Sequence, residues 1–134
     1  MSEEKSAIRV RDVMTTSLRT ISATATVKDA IQDFEASHVS SLVVPRRDDA
    51  DELGLVTVRD IATKVIAEGQ SVDRVYVYEI MRKPVLTVDA AMNVKYAVRL
   101  LTRFGLSRAI VVDESREPLG IVTLRDMVLG HGSD

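Results

Sequence analysis

Gly54-Leu55-Val56-Thr57-Val58-Arg59-Asp60 reads GLVTVRD, and Gly120-Ile121-Val122-Thr123-Leu124-Arg125-Asp126 reads GIVTLRD. The two strings agree in residue kind at every position and close two similar halves of the chain. Self-similarity of this sort marks a tandem repeat, which governs every other reading. With an offset of 67, Met14 falls on Met81, Thr20 on Thr87, Val27-Lys28 on Val94-Lys95, Ala30 on Ala97, Ser40 on Ser107 and Val44 on Val111. Conservative pairs fill the gaps: Asp12 with Glu79, Val13 with Ile80, Ile31 with Val98, Val43 with Ile110. One residue of loop length is then lost and Gly54 meets Gly120. The expected layout is a disordered polar N-terminus (1–7), repeat 1 (8–68), a linker around Gly69-Gln70-Ser71 (69–74), repeat 2 (75–131) and a tail (132–134).

A chain of 134 residues is the size of one compact unit, or of two very small ones sharing a core. A repeat of about 60 residues is marginal alone, so the halves are expected to pack face to face. Aromatic content of 4% and the lack of Trp leave a core of Val, Ile, Leu, Ala and Met. With no Cys, disulfide and thiolate chemistry are excluded, and a reducing compartment fits. No apolar run approaches the ~18 residues of a membrane span, and no signal-peptide pattern opens the chain, which reads as soluble and cytoplasmic. A net charge of −2 offers no global attraction to nucleic acid or an anionic membrane.

Each repeat reads as strand, helix, strand, strand, helix. Residues 17–21 form a short extended stretch. Thr26-Val27-Lys28-Asp29 is a capping-box start, and Val27, Ala30, Ile31 and Phe34 follow at helical spacing. His38 ends that helix where repeat 2 has Gly105, the usual left-handed C-terminal residue, and His tolerates positive φ better than most. Residues 41–44 and 109–112 are continuous apolar runs of the kind buried strands require. The charged loop 45–53 and its counterpart 113–119 lead to strands 54–57 and 120–123. The last helices carry Val58, Ile61, Val65 and Ile66 in repeat 1, and Leu124, Met127 and Val128 in repeat 2. The expected class is α/β (α+β), with small sheets and helices on one face.

In Thr-x-Arg-Asp the Thr ends a buried strand and the Asp lies in the first turn of the next helix. A helix start offers unpaired N–H groups and partial positive charge, which suit a phosphate, and the Thr hydroxyl adds a donor. A carboxylate one turn along can accept two hydrogen bonds from a ribose diol. The same Thr-x-x-Asp spacing is also a helix cap that needs no ligand. Duplication does not separate the two readings, because a duplicated fold duplicates its caps.

The chain resembles a tandem pair of CBS domains, a Bateman module. The resemblance covers nearly everything from Ile8 to His131. It rests on Val27-Lys28-Asp29-Ala30, on Leu42-Val43-Val44 and Ala109-Ile110-Val111-Val112-Asp113, and on both Gly-to-Asp strings. It implies two pseudo-twofold-related β-α-β-β-α repeats packed sheet to sheet, with two clefts that take adenosine derivatives: AMP above all, or ADP, ATP, S-adenosylmethionine or NAD. It also implies homodimers.

Carried over by position, the resemblance gives the first cleft Asp126 for the ribose hydroxyls, Thr123 for the phosphate side and Ile121 against the adenine. Thr15, Thr20, Val39, Ser40 and Ser41 surround the base, and Arg108 meets the phosphate, which its fixed charge and forked donors suit. The second cleft takes Asp60, Thr57 and Leu55 with Arg82, Thr87, Leu106 and Ser107. Ser41 stands where repeat 2 has Arg108, so the Thr123/Asp126 cleft is expected to bind more tightly.

Other charges have plainer readings. Arg59 and Arg125 can reach a phosphate or join a surface ion pair of little worth. Arg46-Arg47-Asp48-Asp49 is a solvated loop tip or a dimer contact. Met14 and Met81 occupy equivalent places as flexible gap-fillers. His38 and His131 have no partner at metal or triad spacing, and there is no Gly-x-Ser-x-Gly elbow, no HExxH helix and no P-loop. No enzyme, metal site or nucleic-acid groove is expected. The expected function is a stand-alone regulatory module that signals ligand occupancy to an unknown effector protein by linkage. The alternative is a structural dimerisation module with empty clefts.

Overall fold

A computed structural model of the chain describes residues 7–132. In chain order the elements are the single turn α1 (Val10–Val13), α2 (Val27–Ser37), β1 (Ser41–Val44), β2 (Gly54–Thr57), α3 (Val58–Ile61), α4 (Val77–Ile80), β3 (Thr87–Asp89), α5 (Val94–Arg103), β4 (Arg108–Val112), β5 (Pro118–Thr123) and α6 (Leu124–Gly132). A π-helical turn over Ala62–Ile66 continues α3. The mixed class and the repeated order match the sequence reading. The disordered N-terminus and the tail expected there fall mostly outside the described residues.

Two compact units divide the chain. One is Arg19–Val85. The other combines the described residues of Met1–Leu18 and Leu86–Asp134.

In the Arg19–Val85 unit, α2 starts as its sequence dictates. The Thr26 hydroxyl accepts from Asp29 N–H and the Asp29 carboxylate accepts from Thr26 N–H, both at 3.1 Å. That satisfies two donors a helix start otherwise leaves unpaired. Val27, Ala30 and Phe34 are buried on one face, and Ile31 packs beside them. The helix ends at His38, whose φ of 60° is the left-handed conformation read from its alignment with Gly105. β1 is buried throughout and pairs antiparallel with β2, from Ser41 opposite Thr57 to Val44 opposite Gly54. The extended stretch at 17–21 contributes one parallel bridge, Thr20 to Val43, rather than a full strand. The turn α4 completes this core with Val77 and Ile80, held by Val27 N–H to Val75 O at 2.8 Å and Val77 N–H to Ala25 O at 2.9 Å.

In the other unit, β3 runs parallel to β4 and β4 antiparallel to β5, with a bulge at Val111/Val112. The crossover from β3 to β4 is α5, as a parallel pair requires. Val94, Ala97 and Leu101 of α5 pack with Val88, Ala109, Val111, Val122 and Met127. Val10 of α1 joins them, fully buried, with its N–H on Met92 O at 2.8 Å. Burying each of the Val, Leu and Met side chains among them contributes about 1.5–3 kcal/mol.

The opening segment of each repeat therefore packs into the unit built around the rest of the other repeat. Met14 lies against Gly120, and Met81 against Gly54. Glycine is required at Gly120, and a side chain at Gly54 needs its neighbours to give way. A Cβ at Gly120 would collide with the Thr15 carbonyl oxygen, and one at Gly54 would stand 3.0 Å from Met81 Sδ and 3.2 Å from Val44 Cβ.

Two sequence readings need refinement. In the last helices Ile61, Val65 and Met127 reach the cores, but Val58, Ile66 and Val128 are 51%, 60% and 63% exposed. The loop 45–53 is solvated at its tip yet holds a buried carboxylate, Asp51. Asp51 accepts from Arg47 N–H at 2.9 Å and Arg47 Nε at 3.0 Å, and Lys83 Nζ stands 2.7 Å away. The hydrogen bonds from Lys83 and Arg47 hold its carboxyl far below the usual carboxylate range.

Candidate functional site

Each Gly-to-Asp string forms a strand-to-helix corner within one unit. At the corner of β5 and α6, Thr123 N–H donates to Asp126 Oδ2 at 3.1 Å, and Asp126 N–H donates to Thr123 Oγ1 at 3.0 Å. Leu124 N–H closes onto Ser107 O at 2.9 Å. Two of the first three helical N–H groups are thus spent inside the unit, which leaves less of the helix start for a phosphate than the sequence reading assumed. The Thr123 hydroxyl accepts there, and among the described residues no acceptor takes its proton. Asp126 is half-buried and, among the described residues, forms no ion pair. Its Oδ1 meets no donor there.

Three further predicted residues lie at the same corner. Arg108 is directly opposite Thr123 across the β4–β5 pair. Thr15 bridges Ile121 through both backbone bonds, at 2.9 and 3.0 Å. Ile121 and Thr123, two apart on one strand, point to the same side. Ile121 is half-buried and Thr15 exposed, so the corner keeps an apolar surface beside a hydroxyl and a carboxylate, with Arg108 across the strand pair.

The corner of β2 and α3 has the same backbone and different electrostatics. Thr57 N–H and Thr57 Oγ1 both donate to Asp60 Oδ2, at 3.0 and 2.9 Å, and Asp60 N–H donates to Thr57 Oγ1 at 3.1 Å. Arg82 Nε donates to Asp60 Oδ1 at 3.1 Å, and Lys64 Nζ stands 3.6 Å from the same oxygen. Asp60 has no exposed surface. Burial pushes its carboxyl pKa up, but the Thr57 bonds and the Arg82 charge outweigh burial and leave it below the ordinary value. Leu55, the counterpart of Ile121, is buried and bridges Arg82.

Of the remaining predicted residues, Thr20, Val39, Ser40 and Ser41 belong to the Arg19–Val85 unit, and Thr87, Leu106 and Ser107 to the other. Ser41 is buried at the start of β1, and Val39 and Leu106 pack partly against their own cores. Sequence reading missed Lys64. The signal was there: Asp60 and Lys64 stand four apart, the spacing at which acid and base face each other on a helix. A separate open groove of about 610 Å³, lined mainly by Val94, Val98, Met127 and Val128, runs between α5 and α6. Among the described residues no cluster of metal-ligating side chains occurs, and no helix is long and apolar enough to cross a membrane.

The chain belongs to the CBS domain family, which it matches over residues 10–67 and 77–129. It is 31% identical to an uncharacterized protein of Methanopyrus kandleri over 91% of this chain and 62% of that protein. It is 34% identical to the L-aspartate semialdehyde sulfurtransferase of Methanosarcina acetivorans over 92% of this chain and 24% of the enzyme. The chain thus spans less than two thirds of one relative's length and about a quarter of the other's. Among solved structures, the hexameric CBS-CP12 protein of bloom-forming cyanobacteria superposes with a TM-score of 0.87 at 34% identity, covering 91% of this chain and 67% of that one. Two structures share the fold at lower identity. One is a Pyrobaculum aerophilum CBS protein complexed with AMP (TM-score 0.79, 21% identity, 95% of this chain and 100% of that one). The other is a CBS domain pair in complex with 5′-methylthioadenosine and S-adenosyl-L-methionine (0.79, 24%, 95% and 98%).

Proposed function

We propose that this CBS pair is a regulatory module whose ligand carries an adenosine group, with AMP the first candidate and ADP, ATP or S-adenosylmethionine the others. The observation that carries the reading is the Thr123–Asp126 corner. Among the described residues, a carboxylate oxygen without a donor, a hydroxyl proton without an acceptor and Arg108, opposite Thr123 on the neighbouring strand, gather at the corner of the half-buried Ile121. In this reading Asp126 accepts from the ribose diol, Thr123 and Arg108 meet the phosphate side, and Ile121 lies against the adenine. The base side draws on Thr15, which bridges Ile121 in the same unit. Relatives of the same fold solved with AMP and with S-adenosylmethionine support this ligand class.

The output is conformational. Ligand stabilises the arrangement that binds it, and a protein partner or the assembly state reports the change. The reading assigns no reaction to this chain, and an adenine-nucleotide ligand implies a cytoplasmic setting. Self-association fits the apolar groove between α5 and α6, where Val128 is 63% exposed and its α6 neighbour Leu129 is 55% exposed. A homodimer formed by this face is part of the proposal.

One observation favours a purely structural module: both Thr-x-x-Asp pairs complete a helix cap with no ligand. A thermal-shift panel separates the two. A ligand at a hundredfold excess over its Kd stabilises by about 2.7 kcal/mol. The sensor reading expects a rise in Tm with AMP, ATP or S-adenosylmethionine that is absent in Asp126→Ala. No rise with any of the three in the nucleotide-stripped protein supports the structural module.

A further inference from the structure

Resting on the adenosine-binding reading, we infer that Arg82 withdraws the repeat 1 carboxylate from ligand binding, so that each chain reads a ribose diol at Asp126 alone. A carboxylate offers about four lone-pair sites on two oxygens. At Asp60 three are hydrogen-bonded from within the same unit and the fourth faces an ammonium. Oδ2 takes the Thr57 N–H and hydroxyl, and Oδ1 faces Arg82 Nε at 3.1 Å and Lys64 Nζ at 3.6 Å. A ribose could bind only by displacing a cation. Two neutral hydroxyls do not replace a guanidinium beside a buried negative charge, and breaking such a pair leaves that charge uncompensated.

The repeat makes the comparison internal. Arg82 and Thr15 are equivalent in the alignment and in the fold. Arg82 exchanges both backbone bonds with Leu55, at 2.8 and 3.0 Å, as Thr15 does with Ile121. The backbone places each residue beside its Asp-bearing corner, and the side chain decides whether the carboxylate is paired. Arg82 spans the gap and pairs with Asp60. Thr15 is short and uncharged. The second cation obeys the same rule: Lys64 aligns with Gly130, which has no side chain. The Asp60 corner has two cations around its carboxylate, and the Asp126 corner has neither at the matching positions. Lys64 Nζ also donates to Ile80 O at 3.0 Å, so the pair ties the π turn after α3 to α4. Asp60 is thereby a structural anchor, and Arg82 determines specificity by closing the site.

The test is a calorimetric titration of nucleotide-stripped protein with AMP, read as stoichiometry per chain. The wild type is expected to bind one equivalent. Asp126→Asn weakens binding at least tenfold, Asp60→Asn changes affinity less than twofold, and Arg82→Thr, which installs the residue found at the equivalent position 15, raises the stoichiometry to two. Two equivalents on the wild type, with one lost in Asp60→Asn, would overturn the inference. If Arg82→Thr does not fold, the two Asp variants decide alone. If no variant binds AMP, the adenosine reading fails separately. A double-mutant cycle in urea between Asp60→Asn and Arg82→Thr then judges the ion pair without ligand: coupled effects support it and additive effects overturn it.

Discussion

A carboxylate stripped of water is unstable unless other groups hold its charge. Asp60 meets that condition through Thr57, Arg82 and Lys64, whereas Asp126 stays partly exposed and, among the described residues, keeps one uncommitted oxygen. Replacing Asp60 with Asn keeps the shape, removes the charge, and leaves Arg82 facing an amide. The expected loss is about 1–3 kcal/mol at neutral pH, read from urea midpoints. Its pH dependence has a defined sign. The folded-state pKa lies below the ordinary carboxylate value, so the contribution is complete above the unfolded pKa of about 3.9 and is lost as pH falls through the folded value. The gap between wild type and Asp60→Asn should hold from neutral pH to about 5 and narrow below about 4. A gap that widened in acid would contradict the ion-paired assignment.

At the scale of elements, the features legible in the sequence were the local ones. The Thr26-to-Asp29 cap spans three residues, and His38 was identified by aligning it with Gly105; both appear as read. His38 remains a non-glycine residue at φ 60°, so His38→Gly should raise stability by up to ~1 kcal/mol, measured by thermal melting. Contacts distant in sequence were not legible. The offset of 67 states which segments are equivalent, but not that α1 packs in the core of the β3–β5 sheet and α4 in that of the β1–β2 pair. Asp51 and Lys83 meet from a loop and a distant segment with no spacing signal between them. Arg82 was assigned to the same pocket as Asp60, but its alignment with Thr15 did not reveal that the two would neutralise each other. The glycines of the repeated strings are explained by the same packing. Gly120→Ala should cost about 1–3 kcal/mol because its Cβ meets fixed backbone, and Gly54→Ala less, since Met81 can yield. Equal losses in urea would argue against the tight backbone approach of Thr15.

At the scale of the whole molecule, the family assignment rests on both repeats, while ligand and assembly remain the proposals to test. Val128 and Leu129 on α6 are the exposed apolar residues that self-association should cover. Val128→Asp with Leu129→Asp should convert a dimer to a monomer in light scattering while leaving the circular dichroism spectrum intact; an unchanged mass would place the interface elsewhere. The central claim is that the Thr123–Asp126 corner reads an adenosine ligand. Its most direct measurement is the calorimetric titration of nucleotide-stripped wild type and Asp126→Ala with AMP, followed by ATP and S-adenosylmethionine. Saturable binding to the wild type that disappears in Asp126→Ala is the predicted result. Equal binding by both proteins, or no heat from either with any of the three ligands, would contradict it.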